Sequence, residues 1–585
     1  MMRDNDILFF NLHRRYLNAS PQFGGFLGIF TLASFLNENG YRAQSYAGQL
    51  TEGLRLIDEA CQNHNIKMIG LYCDYENVTE VIFLSSYIKE TYQIPVIVGG
   101  PQSTSLKKDF YIKSQCDAVV RYEGEITVLD LANYYIESLG VIDDIKGISY
   151  LKDNDVITHE EQDLIENLDA LPFINDECYL VPKQDYTELS IMTGRGCPFH
   201  CSFCHEGHHT RKVRFRSVEN VIEEIKTYIE THEYIKNLHI LFTDDTFTLI
   251  PERVKKLCEG LEQLQKIKPF RWFCEGHVHT LFMNLEMINY IAKAGAQRIQ
   301  LGIEAGTQEV LDAYKKGSTL EEIKTVVKHC YDSGIEEVYS NIILAGAHFT
   351  RDVYIKNIDF AKELLKIAPG VMEIGVVSYW PLPETTITNH PEDYGLNILD
   401  YDFITSSGDF PQIETKDIDR WELIEMMKSM EYELSEYMKE LLIKGFVKTE
   451  LINSWLSRKH TKYIGRWIYA LNQLPHMLNF YSMVFSGECN FIDTISKDFL
   501  HIHPMRTVQL SKYLKNDSGN KSLFGYKLND LEVDILIYSL GKLSVDELIL
   551  KLREKYDDIT LINTENIENV LRKLSSQYLL VYSKY

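Results

Sequence analysis

Short apolar runs alternate with helical periods over two long stretches of this chain, and that alternation constrains the fold more than any other feature. In the first stretch, residues 7–11, 67–72, 95–99 and 118–120 read as strands, with helices over 26–37 and 78–91. Strands separated by helices imply βαβ units, so a Rossmann-like parallel sheet is predicted for residues 1–140, binding its ligand in loops beyond the strand C-termini. Residues 141–185 read as a linker carrying a small β-hairpin. From Glu188 the alternation resumes, with strands at 189–193, 239–243, 271–276 and 298–303 and helices at 218–231, 251–265 and 284–294. Repeated to about residue 380, it predicts a partial (β/α)6 TIM-like barrel over 186–410, with its chemistry at the C-terminal strand ends. The remainder turns mostly helical: a long helix at 421–444 within a helical region 411–520, then 521–585 with the period of a small winged-helix domain. The fold class is therefore α/β with a helical C-terminal region.

At 585 residues the chain is too long for a single hydrophobic core. Its 84 acidic and 60 basic residues give a formal charge of -24, a field that repels phosphate backbones and anionic lipid. Nucleic acid and membrane surfaces are accordingly excluded as partners, and a small-molecule or peptide substrate suits the balance. No run approaches the length of a membrane span, and the first residues lack a signal-peptide layout. The eleven cysteines are an odd number with one tight cluster, which points to a reducing compartment and a metal site. A cytoplasmic location is expected.

That cluster is Gly194-Arg195-Gly196-Cys197-Pro198-Phe199-His200-Cys201-Ser202-Phe203-Cys204, a C-x3-C-x2-C loop directly after the first barrel strand. Three thiolates on one short loop can hold three irons of a [4Fe–4S] cubane and leave the fourth without a protein ligand, open to a substrate. S-adenosylmethionine (SAM) can chelate such an iron through its amino and carboxylate groups. The bland alternative is a zinc site at Cys197, Cys201 and Cys204, completed by His200 or His205.

With these residues the chain resembles the cobalamin-binding class of the radical SAM superfamily, which includes B12-dependent methyltransferases and the anaerobic magnesium-protoporphyrin cyclase. The resemblance covers roughly residues 5–400. It implies that Phe203, before the third cysteine, packs near the adenine. It further implies that Asp244 and Asp245, in Phe242-Thr243-Asp244-Asp245-Thr246-Phe247, lie where the superfamily contacts the SAM amino group, Asp244 being the expected ammonium acceptor. In Gly302-Ile303-Glu304-Ala305-Gly306, Glu304 is expected at the ribose or methionine, with Gly302 and Gly306 beside it. A fifth-strand glycine motif is matched only loosely at residues 343–346, followed by Ala347 and His348. The bland readings are that Asp244 and Asp245 cap the next helix and that Glu304 is a loop acid or salt-bridge partner. Cys258, Cys274 and Cys330 are expected to pack as small hydrophobes.

The same resemblance makes the N-terminal domain a cobalamin-binding module. Gly99-Gly100-Pro101 and Glu123-Gly124-Glu125 fall where that module places loops around the corrin and its nucleotide tail; a plain α/β accessory domain is the alternative. The D-x-H-x-x-G cobalt-ligating motif is absent, although His13 stands at the right offset, with Asn11 for the aspartate and Tyr16 for the glycine. His13 is either an axial ligand lacking its tuning carboxylate or a loop histidine beside a cofactor with no protein ligand.

A B12 domain beside a radical barrel implies methylation of an unactivated carbon of a peptide or natural-product intermediate, via methylcobalamin and a 5′-deoxyadenosyl radical. An external electron donor of flavodoxin or ferredoxin type is implied as well. The rivals are a cobalamin-containing cyclase, oxidase or rearrangement enzyme, a domain that has lost B12 and serves as scaffold, and a non-catalytic sensor. Residues 521–585 are either a structural cap or a peptide-binding module, and the run His205-Glu206-Gly207-His208-His209 is either an acid–base group at the barrel mouth or a solvated loop.

Overall fold

A computed structural model of the chain describes residues 6–13, 27–182, 187–205, 212–399, 410–457, 465–491, 499–558 and 560–583. They form two compact units, one from residues 1–361 and 374–430, the other from 362–373 and 431–585.

The first sheet of the larger unit contains β1 (Ile7–His13), β2 (Ala43–Gln49), β3 (Met68–Tyr72), β4 (Val96–Gly99), β5 (Ala118–Val120), β6 (Ile148–Lys152) and β7 (Asp155–Thr158), in the order β2-β1-β3-β4-β5-β6-β7. The first five are parallel and the last two antiparallel. Both faces are covered, which is why these strands read as continuous apolar runs. Leu8, Phe10 and Leu12 of β1 join one core with Ile69, Leu71, Val96 and Val98. Ile7 and Phe9 point the other way, into a core with Ile97, Ala118 and Val120. The strand order reverses between β1 and β3, so the ligand crevice of a doubly wound sheet lies at their C-terminal ends.

Two features differ from expectation. β2 (AQSYAGQ) was not legible as a strand because it is polar and lies at the sheet edge. It is followed by the helix Leu50–Asn63, which buries Leu50, Gly53, Leu56, Ile57 and Ala60. A Cβ on Gly53 would stand 2.3 Å from Leu12, so only glycine lets this helix lie on β1. The hairpin read as part of a linker instead forms the β6–β7 end of the sheet, with β6 pairing to β5.

The second sheet begins with β8 (Glu188–Ile191). The cysteine loop is closed at its base by a short antiparallel ladder, β9 (Gly194–Arg195) with β10 (Arg214–Phe215). β11 (Leu238–Phe242), β12 (Phe270–Gly276), β13 (Ala296–Leu301), β14 (Glu337–Leu344) and β15 (Met372–Ser378) follow, and the six-stranded order is β15-β14-β13-β12-β11-β8. Strands β8 and β11 to β14 run parallel. Burial alternates strictly along β11, β12 and β14: Ile240, Phe242, Trp272, Cys274, Val338 and Ile342 are fully buried. The intervening positions mix Thr243, Glu275 and Asn341 with Leu241, Phe273 and Ile343, so polar groups stand on the other face of the sheet. Cys258, Cys274 and Cys330 are fully buried among apolar side chains.

In the smaller unit, the helices Thr449–Ser457, Arg466–Asn472 and Pro475–Phe485 precede a sheet in which Leu580–Ser583 lies between Cys489–Asn490 and His503–Arg506. The helices Asp530–Tyr538, Val545–Arg553 and Thr564–Ser576 pack on one core with the meander Lys515–Asp517, Asn520–Leu523, Tyr526–Leu528. A boundary at residue 521 would therefore cut the strand Leu580–Ser583 from both of its partners. Among the described residues no helix is long and apolar enough to cross a membrane.

Gly100 sits at φ +114, and a Cβ there would stand 2.6 Å from the Cys73 carbonyl oxygen. Gly140, at φ +78, has open space around it. Gly100→Ala is expected to cost about 2–5 kcal/mol through strain and overlap. Gly140→Ala should cost roughly 1–2 kcal/mol. Thermal unfolding of the two variants side by side checks the ranking.

Candidate active site

The cysteine loop leaves the sheet through Gly196 at φ +92, a conformation that glycine adopts without strain. Its middle is pinned by Ser202, whose N–H and hydroxyl donate to the carbonyls of Tyr314 and Ala313, both at 2.9 Å. The Ser202 carbonyl in turn accepts from Ile387 N–H at 3.1 Å. Cys201 is buried, and Cys197 and Cys204 are half-buried. Burial raises the Cys201 thiol, while the ammonium of Lys316 pulls it back down. Phe203 meets Tyr314 edge-on at 4.9 Å, and Phe199 stacks on His277 at 3.7 Å. His200 is exposed. His205 turns its nitrogens to the carbonyl oxygens of Pro383 and Pro101, each at 3.0 Å, rather than toward the thiols. Residues 206–211, including His208 and His209, lie outside the described residues. No three His, Cys, Asp or Glu side chains among the described residues close on a single metal ion.

Asp244 is 3% exposed, and both its oxygens are engaged by Thr193: one accepts the backbone N–H at 2.5 Å and the other meets the hydroxyl. Burial pushes its carboxyl up to about 6 against the pull of Thr193 and Arg253. Arg253 donates to the carbonyls of Thr193 and Arg216 and completes a brace under the cysteine loop. Asp244 therefore holds the loop, while Asp245 beside it is solvent-accessible and its carboxylate is met by the Gly196 N–H. Neither carboxylate is a helix cap, since the next helix starts at Pro251.

Glu304 adopts φ +65, rare for a residue with a side chain, and its backbone is locked between Asn341 and Ile343 of β14. Its carboxylate holds Lys316 Nζ at 3.1 Å. A Cβ on Gly302 would stand 2.2 Å from that Nζ, so this glycine makes room for the pair. Gly306 is turned elsewhere: it donates to Asn357 Oδ1 at 2.7 Å, and a Cβ would strike the backbone of the helix Arg351–Ile367. Gly346 lies under the Tyr314 hydroxyl, which a Cβ would overlap. Glu275 points into the same polar interior, where burial and the charges of Asp245 and Glu304 raise its carboxyl to about 7. Burial lowers His277 to about 3, so its neutral ring donates from Nε2 to the Lys316 carbonyl at 3.2 Å. Lys316, Glu275 and His277 were not singled out from the sequence; the cue available for the last two was their place at the end of a barrel strand.

At the C-terminal ends of β1 and β3, His13 Nε2 meets Asn11 Oδ1 at 2.7 Å and Asp74 Oδ2 at 3.8 Å. The loop after β3 thus brings a carboxylate near His13, beyond hydrogen-bond distance. Burial raises the Asp74 carboxyl, with His13 and the N–H groups of Glu76 and Asn77 opposing. Gly99 ends β4, and Gly100 crosses the Cys73 backbone before Pro101 opens the turn Pro101–Ser105. In that turn the hydroxyls of Ser103 and Thr104 are buried without a protein partner. Glu123 and Glu125 are not open to this crevice. Glu125 pairs with Arg195 at 2.5 Å, and Glu123 pairs with Arg195 at 3.3 Å and with Arg214. Burial works to raise Glu123, but Arg214 and Arg195 outweigh it and hold the carboxyl below its ordinary value. Gly124 packs against Leu32.

Residues 191–361 match the family model of the radical SAM superfamily. The open parallel sheet and its cysteine loop thus make up a radical SAM domain. The chain is 31% identical over 280 residues to an uncharacterized methyltransferase of Pyrococcus horikoshii, covering 46% of this chain and 58% of that protein. It is 23% identical over 379 residues to the anaerobic magnesium-protoporphyrin IX monomethyl ester cyclase of Rubrivivax gelatinosus, covering 63% and 64%. The match thus spans less than two thirds of either relative. In fold it is similar to the cobalamin-dependent SAM radical enzyme OxsB, solved with aqua-cobalamin and SAM, at TM-score 0.59 and 18% identity over 98% of this chain and 84% of that one. TsrM from Kitasatospora setae, a radical SAM methyltransferase, aligns at TM-score 0.56 and 15% identity over 68% and 79%.

A carboxyl raised in the folded state keeps a proton that the unfolded chain releases. Glu275 therefore makes the folded protein lose stability as pH rises from about 4.5 to about 7. Glu275→Gln should flatten that slope by about 2 kcal/mol, the full shift being discounted for water in the barrel mouth. Unfolding midpoints at pH 5 and pH 7.5 for both proteins check it.

Proposed function

We propose that this chain is a cobalamin-dependent radical SAM enzyme, a methyltransferase acting on an unactivated carbon of a peptide or natural-product intermediate. The observation that carries this reading is the cysteine loop, fixed at its base and middle, at the C-terminal end of the first strand of a radical SAM domain. The residues suit the groups involved. Cys197, Cys201 and Cys204 would hold three irons of a [4Fe–4S] cluster, and His205, its nitrogens facing the Pro383 and Pro101 carbonyls, is not turned to complete a zinc site. Asp245, Glu304 and the Gly302 backbone line the polar interior where SAM would bind, with Phe203 near its adenine; Asp245 replaces Asp244 as the ammonium acceptor. The crevice beside His13, Gly99, Gly100 and Pro101, with two unpartnered hydroxyls at Ser103 and Thr104, suits the amide-rich rim of cobalamin. Glu123, Gly124 and Glu125 support the crevice from behind rather than line it.

When bound, the cluster supplies an electron, SAM the hydrogen-abstracting fragment and the methyl group, and cobalamin the methyl carrier. The protein's part is to orient and to exclude water. Asp244, Thr193 and Arg253 fix the root of the cysteine loop, and Ser202 fixes its middle. Burial and the carboxylates of Asp245 and Glu304 raise the Glu275 carboxyl, which works against a third negative charge in the interior. An external flavodoxin- or ferredoxin-type protein would deliver electrons, in the cytoplasm. The extent of the match to the cyclase favours one second reading: radical cyclisation, oxidation or rearrangement with cobalamin but without methyl transfer.

Anaerobic reconstitution followed by SAM and a strong reductant tests the assignment. Wild-type protein should hold four irons and four sulfides, retain a corrinoid, and release 5′-deoxyadenosine. The Cys197→Ala, Cys201→Ala, Cys204→Ala triple variant should fall to background in both iron and cleavage. Unchanged cleavage in that variant would sink the reading. Asp245→Asn should weaken SAM binding about tenfold or more, the loss of one charge-assisted hydrogen bond. With a candidate substrate, S-adenosylhomocysteine appearing alongside deoxyadenosine supports methyl transfer, and deoxyadenosine without a methylated product supports the second reading.

A further inference from the structure

Lys316 follows the helix Gln308–Ala313, and its side chain is only 9% exposed. The turn that carries it is docked on the cysteine loop through the two bonds from Ser202 to the Tyr314 and Ala313 carbonyls. Its ammonium stands 5.7 Å from the ring centre of Phe203, which lies between the second and third cysteines. Its carbonyl accepts from His277, whose ring stacks on Phe199, between the first and second cysteines. Both gaps of the C-x3-C-x2-C loop are thus linked to this residue, one directly through Phe203 and the other through His277. On the barrel side it is paired with Glu304, held at φ +65, with Gly302 leaving room for the ammonium. Holding a buried ion pair on a strained backbone is costly, and such strain collects where function requires it.

We propose that Lys316 is a positioning residue that sets the reduction potential of the [4Fe–4S] cluster, with Glu304 as the opposing charge that holds and partly balances it. The inference rests on the assignment of the cluster to Cys197, Cys201 and Cys204. The step concerned is a one-electron transfer: the external flavodoxin- or ferredoxin-type donor loses one electron and the cluster gains it, with no bond made or broken. The reduced cluster carries one more negative charge, which a nearby cation in a water-poor site stabilises and a nearby carboxylate opposes. Lys316 therefore makes the cluster easier to reduce, and Glu304 limits that effect.

Anaerobic potentiometric titration of the reconstituted full-length protein, without SAM and with the reduced-cluster EPR signal as readout, tests this. Lys316→Met should move the midpoint to a more negative value, Glu304→Gln to a more positive one, and Lys316→Arg should leave it near wild type. Opposite shifts are not what a general loosening of the loop produces. With four irons and four sulfides present, shifts in the same direction, or none, would overturn the tuning role while leaving the cluster assignment intact. Wild-type protein that takes up no such cluster would overturn the assignment and this inference with it. If Lys316→Met takes up no cluster, Glu304→Gln decides: a rise in potential supports the role and an unmoved potential rejects it.

Discussion

Two arginines and two glutamates meet between the loop that follows β5 and the ladder at the base of the cysteine loop. Arg195 and Arg214 come from the two arms of that ladder, and Glu123 and Glu125 from the N-terminal sheet. None of the four side chains is more than 14% exposed, and their charges cancel. Removing one member of such a group leaves a buried charge without compensation, at a cost of about 3–5 kcal/mol. The arms of the cysteine loop therefore cannot shift without disturbing the mouth of the N-terminal sheet. His205 adds a second tie just past Cys204, reaching Pro101 on one side and Pro383 on the other. These links give the two sheets of the larger unit one shared set of loops, and the remaining geometry of the site follows from them.

Backbone strain also occurs at strand ends around the site. Among residues with side chains, Tyr122 after β5, Glu304 after β13, and Ala345 and His348 after β14 all hold positive φ. Each such residue costs on the order of 1–2 kcal/mol. The surrounding sheets supply the rigidity that maintains them: Glu304 is clamped on both sides by β14, and the His348 N–H donates to the Tyr394 carbonyl at 2.9 Å. The polar barrel face is preorganised in this way before any ligand enters.

Much of this was legible in the sequence, and the exceptions have physical causes. β1, β3, β4 and β5 were read because both of their faces are buried, and the helix Val218–Thr231 was bounded correctly, capped as it is by Ser217. β2 escaped because an edge strand needs little apolar surface. The burial of Asp244 and the exposure of Asp245 were in principle readable: Ile240 and Phe242 are buried, and a period of two places Asp244 with them and Asp245 opposite. The partners of Glu123 and Glu125 lie some 70 to 90 residues away, and a charge alone does not declare whether it will face a ligand or an arginine. Lys316 was invisible for the same reason, being brought to the cysteine loop only by closure of the barrel.

The β6–β7 hairpin has a consequence for how this chain can be cut and how it is built. A parallel sheet ending at β5 would present a raw row of unpaired backbone N–H and C=O groups, and such a border invites pairing with another copy. The hairpin seals that border, and its own outer strand is short, half-exposed and begins with Asp155. A fragment excised at residue 140 would keep the five parallel strands yet lack both this seal and the core residues Ile148 and Tyr150, and would be prone to stick to itself. During synthesis the same border stays open until the ribosome has released residue 158, so the N-terminal half matures only after its apparent linker has emerged.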